Sequence, residues 1–182
     1  MGRELTRTEK TAIRRLVSKW CANYDRDCGC LPLDCECYMM QDLELHFAYR
    51  AKQEQKEIVL SGADDISLFC DRDWLGEAIG NIVKNALDHT GKGDTIYIKW
   101  TALPSAVQIT IKDNGCGIHP EDLHHIFKRF YRSRFSKDTQ GIGLGLPLAK
   151  AIIEAHGGLI EVESELGIGT SFIMNFPIPT KL

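Results

Sequence analysis

Apolar residues recur with two different periods in the last two thirds of the chain. Over residues 73–89 they return every three or four positions, which predicts an amphipathic helix. Residues 145–156 have the same period and end at two glycines, which favours a second helix. Elsewhere apolar and polar residues alternate or form short apolar runs, which is typical of strands. The predicted strands are residues 57–61, 66–70, 95–103, 106–112, 159–164 and 170–176, and residues 43–55 are predicted as a short strand entry followed by a helix.

The order of these elements indicates the fold class. Short turns join neighbouring strands at residues 104–105 and across residues 167–169, which is typical of hairpins. Helices separate the groups of strands along the chain. The sequence therefore predicts a two-layer α/β sandwich, with a mixed, mostly antiparallel sheet on one side and helices on the other.

The first forty residues differ in composition from the rest. Residues 8–21 carry apolar positions at helical spacing, which predicts a short amphipathic helix. Five of the seven cysteines lie in this segment, at Cys21, Cys28, Cys30, Cys35 and Cys37. Their spacing is not the paired C-x2-C of a zinc ribbon, so free thiols are favoured and zinc is the alternative. We therefore predict a cysteine-rich segment over residues 1–40, with its folding left open, and a compact domain over residues 41–182.

Charge and hydropathy exclude two classes of partner. The 182 residues carry a formal charge of −3 with a pI near 6.1, which provides no basic surface for nucleic acid. No apolar run approaches the roughly 20 residues that a membrane helix needs, and the start lacks the apolar segment of a secretory signal. We expect a cytoplasmic chain that contacts neither nucleic acid nor membrane, although a parent protein can carry its own membrane anchor.

The helix over residues 73–89 has a polar stripe beside its apolar face. Glu77, Asn81, Asn85 and His89 follow one another at intervals of four residues and so share one side of the helix. Asparagine is a mediocre helix former, so its repetition here needs a reason. An amide oxygen is a hard ligand suited to Mg²⁺. A solvated flank is the alternative reading.

A second candidate motif follows the strand over residues 106–112. Asp113 and Asn114 are followed by Gly115, Cys116 and Gly117. An aspartate at a strand end can accept a hydrogen bond from an exocyclic amine, and Ile118 can cover a flat ring. The two glycines permit close backbone approach. An ordinary Asx turn uses the same residue types and is the alternative.

Glycines at alternate positions form a third motif, leading into the second helix at Gly141, Gly143 and Gly145. Such a loop presents backbone N–H groups to an anion. It is neither a P-loop nor a dinucleotide fingerprint, since no G-K-[ST] follows it and no strand directly precedes it. Residues 126–140 before it suggest a mobile lid in which Arg132 or Lys137 reaches a polyphosphate. Two core phenylalanines and a surface loop are the alternative.

The order of these motifs resembles the catalytic, ATP-binding domain of two-component sensor histidine kinases. A double-asparagine helix, D-x-G-x-G, F-x-x-F, G-x-G-x-G and a final G-x-G-T hairpin follow one another over residues 42–177. That domain has the Bergerat fold and shares a superfamily with gyrase, heat-shock chaperones and mismatch-repair proteins. Residues 1–40 resemble small cysteine-rich proteins of bacterial mobile elements. The combination implies a fusion, a truncated gene product or an arbitrary start of the sequence.

The resemblance implies a role for each matching residue. Asn85 would bind Mg²⁺ with help from Asn81, and Asp113 would bond the adenine amino group. Gly115 and Gly117 would let the ring approach. Phe127 and Phe130 would anchor the lid, and Thr170 would support the adenine pocket. The other implied ATP-binding residues are His89, which would stack on adenine, Ile118, Arg132, Gly141, Gly143, Leu144, Gly145 and Leu146.

Two positions depart from relatives in an informative way. Hydrolytic members of the superfamily have a glutamate where this chain has Asn81, so we expect slow or absent ATP hydrolysis. Kinases of this type often have a lysine where this chain has Asp88. We expect Arg132, Lys128 or Lys137 to supply the cation that this position lacks.

The resemblance implies phosphoryl transfer from Mg-ATP to a histidine on a separate dimerisation domain, and onward to a response regulator. None of the six histidines has the H-E-[LI]-x-x-P-L context of an acceptor, so we expect no autophosphorylation within this chain. Two alternatives stay open. One is a stand-alone serine kinase of the anti-sigma-factor type, against which the F-x-x-F segment argues. The other is a degenerate module without enzymatic activity.

Overall fold

The computed structural model describes residues 24–25, 29–30, 47–62, 66, 68, 70–133 and 142–178. In chain order the elements are β1 (Tyr24–Asp25), β2 (Gly29–Cys30), α1 (residues 47–53), β3 (Glu57–Gly62), α2 (Arg72–His89), β4 (Thr95–Leu103), β5 (Ala106–Asp113), α3 (Pro120–Leu123), α4 (Gly145–Ala155), β6 (Leu159–Glu165) and β7 (Gly169–Pro177). The predicted helix over residues 8–21, the strand entry at residue 43, the side chains of the clustered cysteines, Lys137 and Gly141 lie outside the described residues.

Five strands form one mixed sheet in the order β3-β4-β5-β7-β6, and β1 and β2 pair separately. β3 runs parallel to β4, and the other neighbouring pairs in the five-stranded sheet are antiparallel. Ile98 lies opposite Ile111, and Ile111 lies opposite Phe172, so inward apolar positions of the central strands form one row. The predicted mixed, mostly antiparallel sheet is confirmed.

α2 and α4 pack against each other and cover one face of this sheet. Leu75, Ile79 and Ile82 of α2 are fully buried, at the helical spacing on which the prediction rested. They meet the inward residues of the central strands, including Phe172. Burial of large apolar side chains is the main stabilising contribution to such a core. The predicted two-layer α/β sandwich is therefore confirmed.

Local hydrogen bonds fix where the two long helices begin and end. The Asp71 carboxylate caps α2 by accepting a hydrogen bond from the Trp74 N–H at 3.1 Å. The Asp71 N–H donates to Nε2 of His156 at 3.1 Å, which ties the start of α2 to the end of α4. At the other end of α2, the Thr90 hydroxyl donates to the Ala86 carbonyl at 2.8 Å.

One predicted strand is wrong. Residues 66, 68 and 70, which are the described part of the predicted strand over residues 66–70, lie in no strand. Their side chains, Ile66, Leu68 and Cys70, are partly buried against the core. The apolar run therefore reflects burial against the core, and none of its described residues pairs in a strand. The helix predicted within residues 43–55 ends two residues early, at residue 53, and the other predicted strands and the two long helices match the structure within one residue at each end.

None of the helices in the described part of the chain has the length and apolar character that crossing a bilayer requires.

Candidate functional site

A buried carboxylate lies where β5 ends. Asp113 is 3% exposed, and its Oδ1 accepts hydrogen bonds from the N–H of Gly115 at 2.9 Å and of Thr170 at 3.3 Å. Burial raises the pKa of Asp113 above its usual range. Oδ2 accepts no hydrogen bond from any residue that the structure describes. The carboxylate is thus held in one orientation with one oxygen left for a donor.

The loop after Asp113 packs tightly against its neighbours on two sides. A Cβ atom at Gly115 would overlap the carbonyl oxygen of His89, and one at Gly117 would overlap the carbonyl oxygen of Glu165. The φ angle of Gly117 is +67°, which also favours glycine. The Cys116 N–H donates to the His89 carbonyl at 3.1 Å. The loop therefore joins the end of α2 to the β6–β7 turn.

Ser164 was missed by the sequence reasoning. Its Oγ accepts a hydrogen bond from the Ile118 N–H at 2.8 Å, donates to the Gly169 carbonyl at 2.9 Å and lies 3.0 Å from Oγ1 of Thr170. Since the single Ser164 proton is used on Gly169, the Thr170 hydroxyl is the donor in the last pair. The only signal in the sequence is the predicted hairpin across residues 167–169, which sets Ser164 opposite Thr170.

The asparagine stripe of α2 faces the start of α4. Nδ2 of Asn81 donates to the backbone oxygen of Glu77 at 2.9 Å and to its Oε1 at 3.0 Å. Oδ1 of Asn81 is turned towards Gly145, where a Cβ atom would lie 3.1 Å from it. The half-buried carboxamide of Asn85 makes no hydrogen bond to a residue in the described ranges. Two amide oxygens are therefore available as hard ligands, which fits Mg²⁺.

α4 begins without a side-chain cap. Leu144 occupies the N-cap position, and no side chain among the described residues caps it with a hydrogen bond. The Leu148 N–H donates to the Leu144 carbonyl at 3.0 Å, so the N–H groups of Gly145 and Leu146 precede the first bond of the helix. Such N–H groups and the positive end of the helix dipole favour an anion. Asn81 therefore faces a helix start whose geometry favours an anion.

The two ends of the predicted lid meet at the backbone. The Phe130 N–H donates to the Gly143 carbonyl at 2.9 Å, and Gly143, with φ +72°, packs against the backbone of Phe130 and Tyr131. The Phe127 ring packs edge-on against Phe172 with centroids 6.5 Å apart, and its role as an anchor of the lid stays a prediction. The Phe130 ring is 68% exposed, so the prediction that it anchors the lid is wrong for its side chain. Its φ of +62° turns the backbone, which makes the contact instead.

Asp88 is paired with α1. Its Oδ1 lies 2.6 Å from Nη2 of Arg50, whose Nε lies 2.7 Å from Glu54. Lys56 donates to the Leu87 carbonyl and to Glu54. The hydrogen bond from Lys56 to Glu54 holds the pKa of Glu54 below its usual range. The carboxylate that replaces the usual lysine thus joins α1 to the end of α2.

The remaining predicted residues are distributed around this site. Arg132 is exposed at the start of the lid, His89 is half-buried at the end of α2, and Ile118 is half-buried beside Ser164. The structure brings Asp113, its glycines and Thr170 together at one end, and the asparagines and the start of α4 at the other. Their roles in binding a ligand stay predictions.

Comparison with known proteins identifies the domain. Residues 70–180 match the family model described as histidine kinase-, DNA gyrase B- and HSP90-like ATPase. Residues 2–49 match the model described as cysteine-rich VLP, which agrees with the resemblance of the first forty residues. The boundary at residue 40 stays a prediction.

Individual relatives point to one branch of this family. Sensor protein SrrB of Staphylococcus aureus is 44% identical over 111 residues, which are 60% of this chain and 19% of SrrB. The chain thus matches about a fifth of the length of that relative. The catalytic domain of histidine kinase ThkA is 25% identical with a TM-score of 0.68 over 77% of this chain and 92% of that domain. Mycobacterial sensor histidine kinase MprB is 26% identical with a TM-score of 0.66 over 76% of this chain and 95% of that chain. The chain therefore belongs to the histidine kinase-, DNA gyrase B- and HSP90-like ATPase family and carries the ATP-binding catalytic domain of a sensor histidine kinase.

Proposed function

We propose that this chain binds Mg-ATP between α2, the loop after β5 and the start of α4, and transfers its terminal phosphoryl group to a histidine on a helical dimerisation domain in the cytoplasm. The observation that carries the proposal is the Asp113 carboxylate, with Oδ1 engaged by two backbone N–H groups and Oδ2 left for a donor. A buried acceptor held in this way suits the exocyclic amine of adenine.

Adenine recognition falls to the residues around Asp113. Oδ2 accepts the amine, and the half-buried Ile118 covers the ring. The Thr170 hydroxyl donates to Ser164, so it offers only its lone pairs to the pocket. The pocket therefore presents two acceptors, Asp113 and Thr170, which favours a base with a donor at this edge.

Phosphate binding falls to the other end of the site. Asn81 and Asn85 are the residues that would hold Mg²⁺, which neutralises negative charge on the phosphates when bound. The N–H groups of Gly145 and Leu146, which precede the first bond of the helix, bind phosphate oxygens. Arg132 supplies the cation that related kinases often provide at position 88, because Asp88 is negatively charged and is paired with Arg50. Phosphoryl transfer depends mainly on such positioning and charge neutralisation.

The same helix favours transfer over hydrolysis. Asn81 occupies the position at which hydrolytic relatives carry a glutamate, and an amide cannot accept a proton from water at neutral pH. Glu77 lies one turn away, and its Oε1 accepts a hydrogen bond from Asn81. The phosphoryl group is therefore passed to a histidine side chain. The resulting phosphohistidine then donates it to a response regulator.

Nucleotide binding is the first test. Titration of ATP with and without Mg²⁺ in a calorimeter is expected to show magnesium-dependent binding that Asn85→Ala and Asp113→Ala abolish. ATP at about 100 times its dissociation constant stabilises the fold by roughly 2.7 kcal/mol, which a thermal shift detects. Gln108→Ala is the matched control, because Gln108 bonds Asn175 on the sheet face away from the helices. Normal ATP binding by both site variants would refute the site.

Transfer is tested with a purified histidine-bearing dimerisation domain and radiolabelled ATP. The expected product is acid-labile, as a phosphohistidine is. An acid-stable product would indicate a serine kinase of the anti-sigma-factor type. A third outcome is that the chain binds ATP in the presence of magnesium and gives no labelled product, neither an acid-stable nor an alkali-stable one. That result would indicate a module that has lost the phosphoryl-transfer reaction.

A further inference from the structure

A second buried carboxylate lies at the start of α3, away from the nucleotide pocket. Asp122 is 3% exposed, and its Oδ1 accepts a hydrogen bond from the Tyr131 hydroxyl at 2.6 Å. The side chain of Ser133 is a further hydrogen-bond partner. Burial acts to raise the pKa of Asp122, but the hydrogen bonds from Ser133 and Tyr131 outweigh it and hold the pKa below its usual range. The carboxylate therefore stays charged and bonded at neutral pH.

These two partners are the neighbours of Arg132 on either side along the chain. A carboxylate that binds the residues before and after one position restricts the backbone at that position. Arg132 itself is exposed. Its two flanking side chains are thus tied to a buried anchor while its own side chain is accessible to solvent.

Further contacts hold the same strip of chain. The Tyr131 ring lies against the His125 ring with centroids 5.3 Å apart. The residue before it, Phe130, donates its N–H to the Gly143 carbonyl at 2.9 Å, two residues before α4 begins. The segment that carries Arg132 is therefore fixed from Asp122 on one side and from the start of α4 on the other.

We propose that Asp122 is a positioning residue, which holds Arg132 beside the start of α4 so that its guanidinium meets the terminal phosphate of ATP. The proposal rests on the proposed function, because it takes the phosphate site to be at the start of α4. Asp122 does not touch the nucleotide. It acts by limiting the conformations of Arg132 before ATP arrives, which lowers the entropy lost on binding.

The distinguishing measurement is the ratio of ATP affinity to ADP affinity, because the contact involves the terminal phosphate. Asp122→Asn keeps the shape of the side chain and removes its charge. It is expected to weaken ATP binding about fivefold to tenfold and to leave ADP binding unchanged. Tyr131→Phe with Ser133→Ala removes both donors without touching the buried carboxyl, and it keeps the test valid if Asp122→Asn does not fold. Glu121→Gln, an exposed neighbour on α3, is the matched control.

A double-mutant cycle with Arg132→Ala separates positioning from a general structural effect. If Asp122 acts through Arg132, Asp122→Asn has no further effect on the ATP to ADP ratio in the Arg132→Ala background. An equal effect in both backgrounds, or an equal loss of ATP and ADP affinity, would overturn the inference. If Arg132→Ala itself leaves the ratio unchanged, the phosphate role of Arg132 in the proposed function fails instead.

Discussion

Asp113→Asn separates what the carboxylate does for the fold from what it does for a nucleotide. An asparagine oxygen at the Oδ1 position can still accept the N–H groups of Gly115 and Thr170. The amide nitrogen then occupies the Oδ2 position, where it is a donor instead of an acceptor. In the proposed site, adenine presents its amino group, a donor, to this position. Hypoxanthine, the base of inosine triphosphate (ITP), presents a carbonyl oxygen there. The substitution is therefore expected to weaken ATP binding and to improve ITP binding.

The magnitudes follow from hydrogen-bond energies. A hydrogen bond to a charged group contributes about 1.5–3 kcal/mol, so ATP binding is expected to weaken by about 10-fold to 150-fold. A new neutral hydrogen bond to the base oxygen contributes about 0.5–1.5 kcal/mol. ITP is therefore expected to bind Asp113→Asn about 2-fold to 10-fold more tightly than it binds the unsubstituted chain. The preference for ATP over ITP thus decreases because ATP binds more weakly and because ITP binds more tightly.

The stability of the fold is expected to change in the opposite direction. Because burial raises the pKa of Asp113, the folded state binds its proton more tightly than the unfolded state. The free energy of unfolding therefore decreases as the pH rises from the ordinary aspartate value of about 3.9 through the raised pKa. Asp113→Asn removes this decrease, so its free energy of unfolding is expected to equal that of the parent at low pH and to exceed it at neutral pH.

Two assays check this reasoning. Competition titrations with ATP and ITP measure the preference, and urea denaturation across pH measures stability. Glu161→Gln, on an exposed position of β6, controls for the loss of one negative charge. An unchanged dissociation constant for ATP in Asp113→Asn would refute the role of Oδ2. A parallel loss of stability and of both affinities would mean that the carboxylate is needed for the fold itself.

Three other substitutions test the packing around the site. Gly117→Ala is expected to lower the free energy of unfolding in urea more than Gly157→Ala does. Both glycines have positive φ, but only at Gly117 would the added Cβ overlap a neighbouring carbonyl oxygen. Equal losses of about 1–2 kcal/mol would contradict this. Phe172→Ala, in the core, is expected to cost about 3–5 kcal/mol in thermal denaturation, and a loss below about 1 kcal/mol would argue against its burial. Asp88→Asn breaks a partly exposed ion pair with α1, so a loss of about 0.2–1 kcal/mol that shrinks in 1 M salt is expected; an effect insensitive to salt would contradict it.

The regular elements were predictable because local signals agree with tertiary burial. β5 alternates between buried and more exposed residues, and it meets β4 at a two-residue turn, so the bounds of both strands follow from the sequence almost to the residue. α2 has both an apolar period and a capping aspartate at Asp71. The predicted strand at Ile66 and Leu68 fails because a short apolar run indicates which side chains are buried, and not whether the backbone is paired.

The unpredicted features of the site depend on contacts between distant parts of the chain. The Arg50–Asp88 pair joins residues 38 positions apart, and the Ile118–Ser164 hydrogen bond joins residues 46 positions apart. No spacing rule relates such positions. The F-x-x-F pattern likewise does not reveal that Phe130 has a φ of +62° and an exposed ring. Motifs identify which residues are present, but the register of the sheet and the loop geometry determine what each one touches.

In the stripe along α2, the proposed metal ligand and the absence of a hydrolytic base depend on the same side chain, Asn81. The Asn81 amide hydrogens are turned to Glu77, so its oxygen is left to face the start of α4. The same bond engages the Glu77 carboxylate, the acidic group one turn away. An amide oxygen that could bind a metal therefore lies at the position where hydrolytic relatives carry the base that activates water. Under the proposed function, a site built in this way would hold ATP until an acceptor arrives, which is what transfer to a separate histidine requires.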